Sequence, residues 1–140
     1  MRTLVVMVLL LGSSISAHAQ VSEAWDFAHA YKESCSSGSM VQMNQCLADS
    51  FVQLDRRMND VYAKLLHSLK NPEPLREAQI LWSGFRDAEC RFRVPSEWKG
   101  SAVPYSRNAC LIDHTVRRLR DLEGVIPCNG CVEFKPELYQ

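Results

Sequence analysis

The segment AQILWSGFRDAEC, residues 78–90, places several side chains capable of chemistry within about three helical turns. Gln79 can donate and accept hydrogen bonds, Arg86 can bind a carboxylate or another anion, and Cys90 can form a thiolate or a disulfide. The interior of a small helical domain needs the same ingredients, namely aromatic side chains, polar companions and a covalent link. The segment therefore has a catalytic and a structural interpretation.

The aromatic members of this segment favour the structural interpretation. Trp82 and Phe85 share a helix face with Ala78, so we predict them to be core aromatics. Arg86 and Gln79 are then polar companions of that core. Their expected partners lie on the preceding long helix: Asp55, Asn59 or Tyr62.

A second candidate for chemistry is the Cys128-Asn129-Gly130-Cys131 sequence near the C-terminus. A CxxC pair can be a redox centre when a helix N-terminus stabilises its thiolate, and it can also bind a metal. This pair follows the last predicted helix and lacks the strand and helix that flank the CxxC of thioredoxin-like proteins. Its Asn-Gly centre favours a tight turn. These features favour a structural disulfide over redox catalysis or metal binding.

Other catalytic and metal-binding patterns are absent from the sequence, which has no Gly-rich phosphate loop, no HExxH and no GxSxG. The histidines beyond residue 19 show no ligand spacing: His29, His67 and His114. The carboxylates are scattered, and three of them could form ion pairs with Arg86 or Arg118, which are more common than catalytic acids: Asp55, Asp87 and Glu89. We predict a protein that is not an enzyme and needs no cofactor or metal.

The first 19 residues have the pattern of a cleavable secretory signal. Arg2 precedes an apolar run from Leu4 to Leu11, and Ala17-His18-Ala19 is a small-x-small cleavage site. The run is too short to span a membrane, and no cysteine follows the site, so no membrane anchor is expected. We predict a periplasmic or secreted protein.

The charge balance argues against nucleic acid as a partner. The chain has 16 basic and 16 acidic residues, and residues 1–19 contain Arg2 but no acid. The mature protein therefore has 15 basic and 16 acidic residues, a formal charge of −1. Such a charge provides no strong attraction to nucleic acid or to anionic lipid.

Hydrophobic periodicity predicts three main helices. In the first, apolar residues recur at spacings of four and three from Met43 to Leu69, after a capping box formed by Ser39 and Gln42, and the helix ends near Lys70. The second follows residues 71–74, with Asn71 as its expected cap and an inward stripe: Leu75, Ala78, Trp82, Phe85 and Phe92. Gly84 within it hints at the close approach of another helix.

The third helix is expected from about Ser101 to Gly124, after a loop at residues 95–104. Its inward residues recur at helical spacing: Ala109, Ile112, Val116, Leu119 and Leu122. A short N-terminal helix is also expected within residues 20–34. The predicted fold class is all-α, a small antiparallel helical bundle of three main helices plus this short helix.

Six cysteines in an exported chain of this length argue for disulfides. Proximity along the chain favours the pairs Cys35–Cys46, Cys90–Cys110 and Cys128–Cys131, although the sequence allows other connectivities. The predicted organisation has four parts: a signal peptide (1–19), an N-terminal helical segment (20–34), a disulfide-stapled helical domain (35–124) and a C-terminal tail with the CxxC pair (125–140).

The spacing of these residues resembles the LprI-type lysozyme-inhibitor family over about residues 35–124. The resemblance rests on Met43-Asn44-x-Cys46, on Gln79-x-x-Trp82-x-x-Phe85-Arg86-Asp87-Ala88-Glu89-Cys90 and on Gly100-Ser101, with further matches around residues 55–65 and 110–122. It implies a small helical domain of bacterial envelopes. The implied structural motif is Asp55, Asn59, Tyr62, Gln79, Trp82, Phe85, Arg86, Thr115 and Arg118.

Two functional hypotheses follow. In the first, the domain inhibits a lysozyme-like muramidase and so protects peptidoglycan, with a binding loop from Val94 to Tyr105. Its candidate anchors are exposed residues of that loop: Glu97, Trp98, Lys99 and Tyr105. In the alternative, the protein is a structural or adaptor module that binds another envelope protein through a helix face or through residues 125–140.

Overall fold

The computed structural model describes residue 30, residues 32–125 and residues 132–135. Within this part of the chain the protein is helical and contains no strands. The long helices are α1 (Met40–Ser68), α2 (Glu73–Arg93) and α3 (Ala102–Glu123). Residues 32–34 belong to a further helical segment that precedes Cys35. The predicted all-α bundle of three main helices with a short N-terminal helix is confirmed.

α1 begins at the predicted capping box. The Ser39 hydroxyl accepts a hydrogen bond from the Gln42 backbone N–H, and the Gln42 side chain accepts one from the Ser39 backbone N–H at 2.8 Å. Both bonds satisfy amide groups that have no partner inside the first helical turn. The helix ends at Ser68, and Leu69 is already extended.

α2 begins differently from its predicted start. Pro72, not Asn71, occupies the cap position, and no side chain caps the helix. Pro72 already has helical backbone angles, and its carbonyl accepts from the Arg76 N–H at 3.1 Å. Asn71 is therefore one residue too far from the first turn to cap it, and that expectation is wrong.

α1 and α3 supply most of the buried core, on the faces that the periodicity predicts. The largest fully buried side chains come from these two helices and from the disulfides: Leu47, Leu54, Met58, Ile112, Val116, Thr115, Cys35 and Cys90. Leu65, Leu119 and Leu122 continue this core towards the ends of the helices. The side chains are apolar and closely spaced, so their removal from water is the main driving force for pairing α1 with α3.

The orientation of α2 differs from the prediction. Its buried residues are Gln79 and Cys90, while Leu75 and Trp82 are partly buried against the core. Phe85 is 55% exposed and Phe92 is 80% exposed, so the expectation that both point inward is wrong. Ala78 is exposed as well. The helix has apolar residues on two faces, and the face that carries Gln79 and Cys90 is the buried one.

Two disulfides join the described elements in the predicted pairs. Cys35–Cys46 ties the N-terminal segment to α1, and Cys90–Cys110 ties the end of α2 to α3. The predicted Cys128–Cys131 pair, the signal peptide and most of the predicted N-terminal helix lie outside the described residues.

The two ends of the bundle carry different features. Connectors at residues 69–72 and 94–101 reverse the chain, so the 94–101 connector lies at the end where α1 begins. At the opposite end, Lys70 N–H donates to the Glu133 carbonyl at 3.0 Å and Lys135 N–H donates to the Ser68 carbonyl at 2.8 Å. None of the helices in the described ranges is both long enough and apolar enough to cross a lipid bilayer.

Candidate functional site

The candidate binding loop, defined here as residues 94–101, connects α2 to α3 and projects a run of exposed side chains. Glu97 and Lys99 are exposed, and 57% of Trp98 is accessible to solvent. An exposed tryptophan between two opposite charges offers a large apolar surface and groups for hydrogen bonding. This combination is typical of residues that contribute strongly to protein–protein binding.

The same loop is held at both of its ends. Val94 is buried at its start, next to the Cys90–Cys110 disulfide that links the flanking helices. At its end, the Asn44 side chain donates to the Ser101 backbone carbonyl at 2.8 Å and ties the loop to α1. Gly100 has a φ of +126°, which side-chain-bearing residues rarely adopt. Both ends of the loop are therefore anchored to the helical bundle.

Tyr105 is not an exposed residue of this loop. It lies in the first turns of α3, and it is partly buried against the hydrophobic core. The helix begins at Ala102, so the predicted loop at residues 95–104 is three residues too long. Ser101 precedes the helix as expected, but its side chain makes no capping hydrogen bond.

A polar cluster between the three helices is centred on Arg86, which is only 11% exposed. The guanidinium donates to Asp55 of α1 at 2.7 Å, to Asp87 at 3.0 Å and to Thr115 of α3 at 3.3 Å. The central carbon of the Arg86 guanidinium, Cζ, lies 5.0 Å from the centre of the Trp82 ring. Cation–π contact and charge-assisted hydrogen bonds therefore offset the cost of partly burying this cation.

A second arginine extends the cluster. Arg118 Nε donates to the Gln79 side-chain oxygen at 2.9 Å, and Gln79 Nε2 contacts the Met58 sulfur at 3.2 Å. Arg118 also lies over the Trp82 ring at 5.7 Å. Gln79 is thus buried because both ends of its amide have partners.

The other residues of the predicted structural motif lie in three different settings. Asn59 donates to Asp55 at 3.1 Å and so orients the carboxylate that Arg86 binds. Tyr62 packs against the core. Phe85 lies outside the cluster and makes an edge contact with the His114 ring, with the ring centres 5.6 Å apart. Arg86 and Arg118 both bond side chains of neighbouring helices, which is typical of a structural ion network, although the buried Arg118 Nη2 has no partner among the described residues.

The pKa of His114 is shifted from its ordinary value by its surroundings. Burial lowers the pKa of His114, and the positive charges of Arg117 and Arg93 lower it further. The carboxylates of Glu89 and Asp113 oppose this shift. The surroundings of His114 therefore favour its neutral form, and the ring packs partly buried.

Among the described residues, Cys90, Cys110 and His114 are the group whose ligand atoms lie close enough together to hold a metal ion. Both cysteines are joined in a disulfide, so neither supplies the thiolate that metal binding requires. The group does not fit a metal. The CxxC cysteines and His29 lie outside the described residues.

Sequence reasoning missed the hydrogen bond between Asn44 and Ser101, because the two residues are 57 positions apart and belong to different elements. A signal for it was present, since Asn44 and the Gly100-Ser101 pair are among the residues that carry the family resemblance. The spacing of a motif shows which residues are shared with a family, but it does not show which of them are in contact in the fold.

Comparison with curated proteins and with solved structures gives no match. Comparison with protein families matches residues 32–122, which include α1, α2, α3 except its last residue, both disulfides, the polar cluster and the candidate loop. The family is described as lysozyme inhibitor LprI. Because this match spans well over half of the sequence, the chain belongs to the LprI lysozyme-inhibitor family.

Proposed function

We propose that the protein is an exported, non-enzymatic inhibitor of a lysozyme-like muramidase, and that it protects bacterial peptidoglycan in the periplasm or outside the cell. The observation that carries this proposal is family membership over residues 32–122, nearly the whole of the three-helix region. The secretory pattern of residues 1–19 supports export. Export would bring the protein to the cell envelope, where peptidoglycan and the muramidases that attack it are located.

The candidate binding loop supports the proposal as a contact surface. A glycosidase cleft holds an extended sugar chain, with two carboxyl groups on either side of the bond that is cut, so a projecting segment can block the cleft without any chemistry. Residues 94–101 project between two linked helices, with Trp98 exposed at the centre. A fixed loop loses little conformational freedom on binding, which favours affinity. Lys99 adds a cation that can approach carboxylates in the cleft.

The direct test is the lysis of peptidoglycan by lysozyme, titrated with the oxidised mature protein. We expect saturable inhibition by the oxidised form and none by a reduced, alkylated sample, because reduction frees the two ends of the loop. Absence of inhibition at high molar excess, with helical content intact, would contradict the proposal. It would favour the alternative of a structural or adaptor protein that binds another envelope protein.

The role of the loop is tested separately with the Trp98→Ala, Lys99→Ala double variant. We expect at least a tenfold loss of inhibition, which corresponds to about 1.4 kcal/mol of binding free energy. Val52→Ala is the matched control, because Val52 is also an exposed apolar residue but lies on α1, outside the loop. Equal inhibition by the double variant and the control would remove the loop from the binding surface while leaving the inhibitor proposal open to the first assay.

A further inference from the structure

α2 carries an apolar surface that the described residues leave more than half exposed, with only Phe85 meeting another ring, that of His114, at one edge. The α2 apolar face, as we define it, consists of Ile80, Leu81, Phe85 and Phe92, each of which is more than half exposed. Single exposed apolar residues are ordinary on a protein surface, but four large ones on the same half of one helix make a larger apolar surface. Such patches mark surfaces that bind another protein.

The centre of this face is suited to another helix. One line of residues along this side of α2 has alternating spacings of four and three, which is the pattern of a seam between paired helices. We call this line the seam; it consists of Glu77, Leu81, Gly84, Ala88 and Arg91. Gly84 and Ala88 in the middle are small, and nothing lies within 4 Å of the position that a Cβ of Gly84 would occupy. Glycine weakens a helix, so a glycine with free space beside it needs an explanation. The close approach of the backbone of a second helix, from another molecule, provides one.

The charges at the two ends of the seam identify the occupant. Glu77 and Arg91 each lie seven residues from Gly84, on opposite sides. Both are exposed, and neither forms a hydrogen bond or an ion pair with any residue in the described ranges. If a second α2 crosses antiparallel at Gly84, Glu77 of each copy faces Arg91 of the other. A parallel pair would instead place like charges together.

We propose that the α2 apolar face is the interface of a homodimer in which two α2 helices pack antiparallel across a two-fold axis near Gly84. The interface is isologous, because the same residues contribute from both copies. α2 has 21 residues and is about 30 Å long, so one helix pair buries less surface than the standard stable interface. The dimer is therefore expected to dissociate on dilution. It does not depend on the inhibitory activity proposed above.

Sedimentation velocity of the oxidised mature protein, over a dilution series from about 1 mM to about 1 µM, tests the association. We expect the dimer fraction to fall with dilution. Leu81→Glu should abolish the dimer at all concentrations, because it buries two charges in the seam. Val52→Glu, an equivalent change at an exposed apolar position of α1, should leave it unchanged. Equal helical content by circular dichroism shows that both variants are folded.

Charge reversal tests the antiparallel arrangement itself. Glu77→Arg and Arg91→Glu should each weaken the dimer about tenfold, because each change creates two like-charge contacts. The double reversal should restore the affinity of the unmodified protein. A double variant as weak as the single ones would overturn the antiparallel arrangement, and with it the proposal.

Two further outcomes would also overturn the proposal. The first is a monomer at every concentration of the mature protein. The second is a mature protein that is monomeric while a form beginning at Lys32 dimerises, because the preceding residues of the chain would then cover the α2 apolar face. Both are read from the same sedimentation experiment, and neither depends on a lysozyme assay.

Discussion

Arg86 connects all three helices through one guanidinium group. It lies on α2, binds Asp55 of α1 and Thr115 of α3, and is almost fully buried under the Trp82 ring. Removing Arg86 would leave Asp55, whose side chain is 32% exposed, without the cation that it binds, so the loss exceeds that of a fully exposed ion pair. Most of the contribution of this cluster to the stability of the fold therefore depends on the side chain of Arg86.

We expect Arg86→Ala to lower the free energy of unfolding by about 3 kcal/mol, because Asp55 loses its cation and Thr115 loses a donor. Arg76→Ala is the matched control on the same helix, since its ion pair with Glu73 is exposed and is worth less than about 0.5 kcal/mol. Urea titrations followed by circular dichroism measure both changes. Equal losses in the two variants would show that the cluster contributes no more than a surface ion pair.

His114 makes stability depend on pH in a defined direction. Burial and the nearby arginines lower its pKa in the folded protein below the ordinary value of 6.5, so the unfolded chain binds the proton more readily. The contribution of His114 is complete above pH 6.5 and is lost as the pH falls from there through the folded-state pKa. We expect the stability difference between the unmodified protein and His114→Gln to shrink below pH 6.5. A difference that is constant from pH 8 to pH 5, in paired thermal melts, would contradict this.

At the scale of elements, the two predicted disulfides differ in what they hold. Cys35–Cys46 joins residues 11 positions apart at the start of α1, while Cys90–Cys110 joins residues 20 positions apart and encloses the candidate binding loop. In the chain-entropy model each contributes about 3 kcal/mol to stability. They should therefore be similar in their effect on folding and different in their effect on binding.

We expect the Cys90→Ala, Cys110→Ala variant to lose about 3 kcal/mol of stability and also to inhibit lysozyme more weakly, because the loop is no longer fixed. The Cys35→Ala, Cys46→Ala variant is the control, with a similar loss of stability and unchanged inhibition. Both variants are assayed at a temperature where circular dichroism shows them folded. Unchanged inhibition by the first variant would mean that preorganisation of the loop does not contribute to binding.

Elements dominated by a single physical signal could be predicted from the sequence. α1 and α3 bury the stripes expected from their periodicity, and the Ser39–Gln42 capping box fixes where α1 begins. α2 could not be predicted in the same way, because its burial is decided by long-range partners. The disulfide of Cys90 and the hydrogen bonds of Gln79 and Arg86 turn those residues inward, and the apolar residues on the other side remain exposed. Hydrophobic periodicity alone does not contain that information.

At the scale of the whole molecule, the candidate loop and the described part of the tail lie at opposite ends of α1. The 29 residues of α1 correspond to about 43 Å. Asn44 near its start binds Ser101 of the loop, and Leu69 just after its end forms a single antiparallel β-bridge with Phe134 of the tail. Effects on the two surfaces can therefore be separated by changing one end at a time.

A chain that ends at Val125 provides that separation. It loses the backbone hydrogen bonds of Lys70 and Ser68 and the packing of Val132 and Phe134 against the core, so we expect it to be less stable by about 1–3 kcal/mol. Its inhibition of lysozyme should be unchanged, because residues 94–101 keep all their described contacts. Lys70→Ala removes only the exposed ion pair with Glu133 and is the control for stability. A truncated protein that is folded but no longer inhibits would place the binding surface at the tail, which is the surface that the adaptor alternative uses.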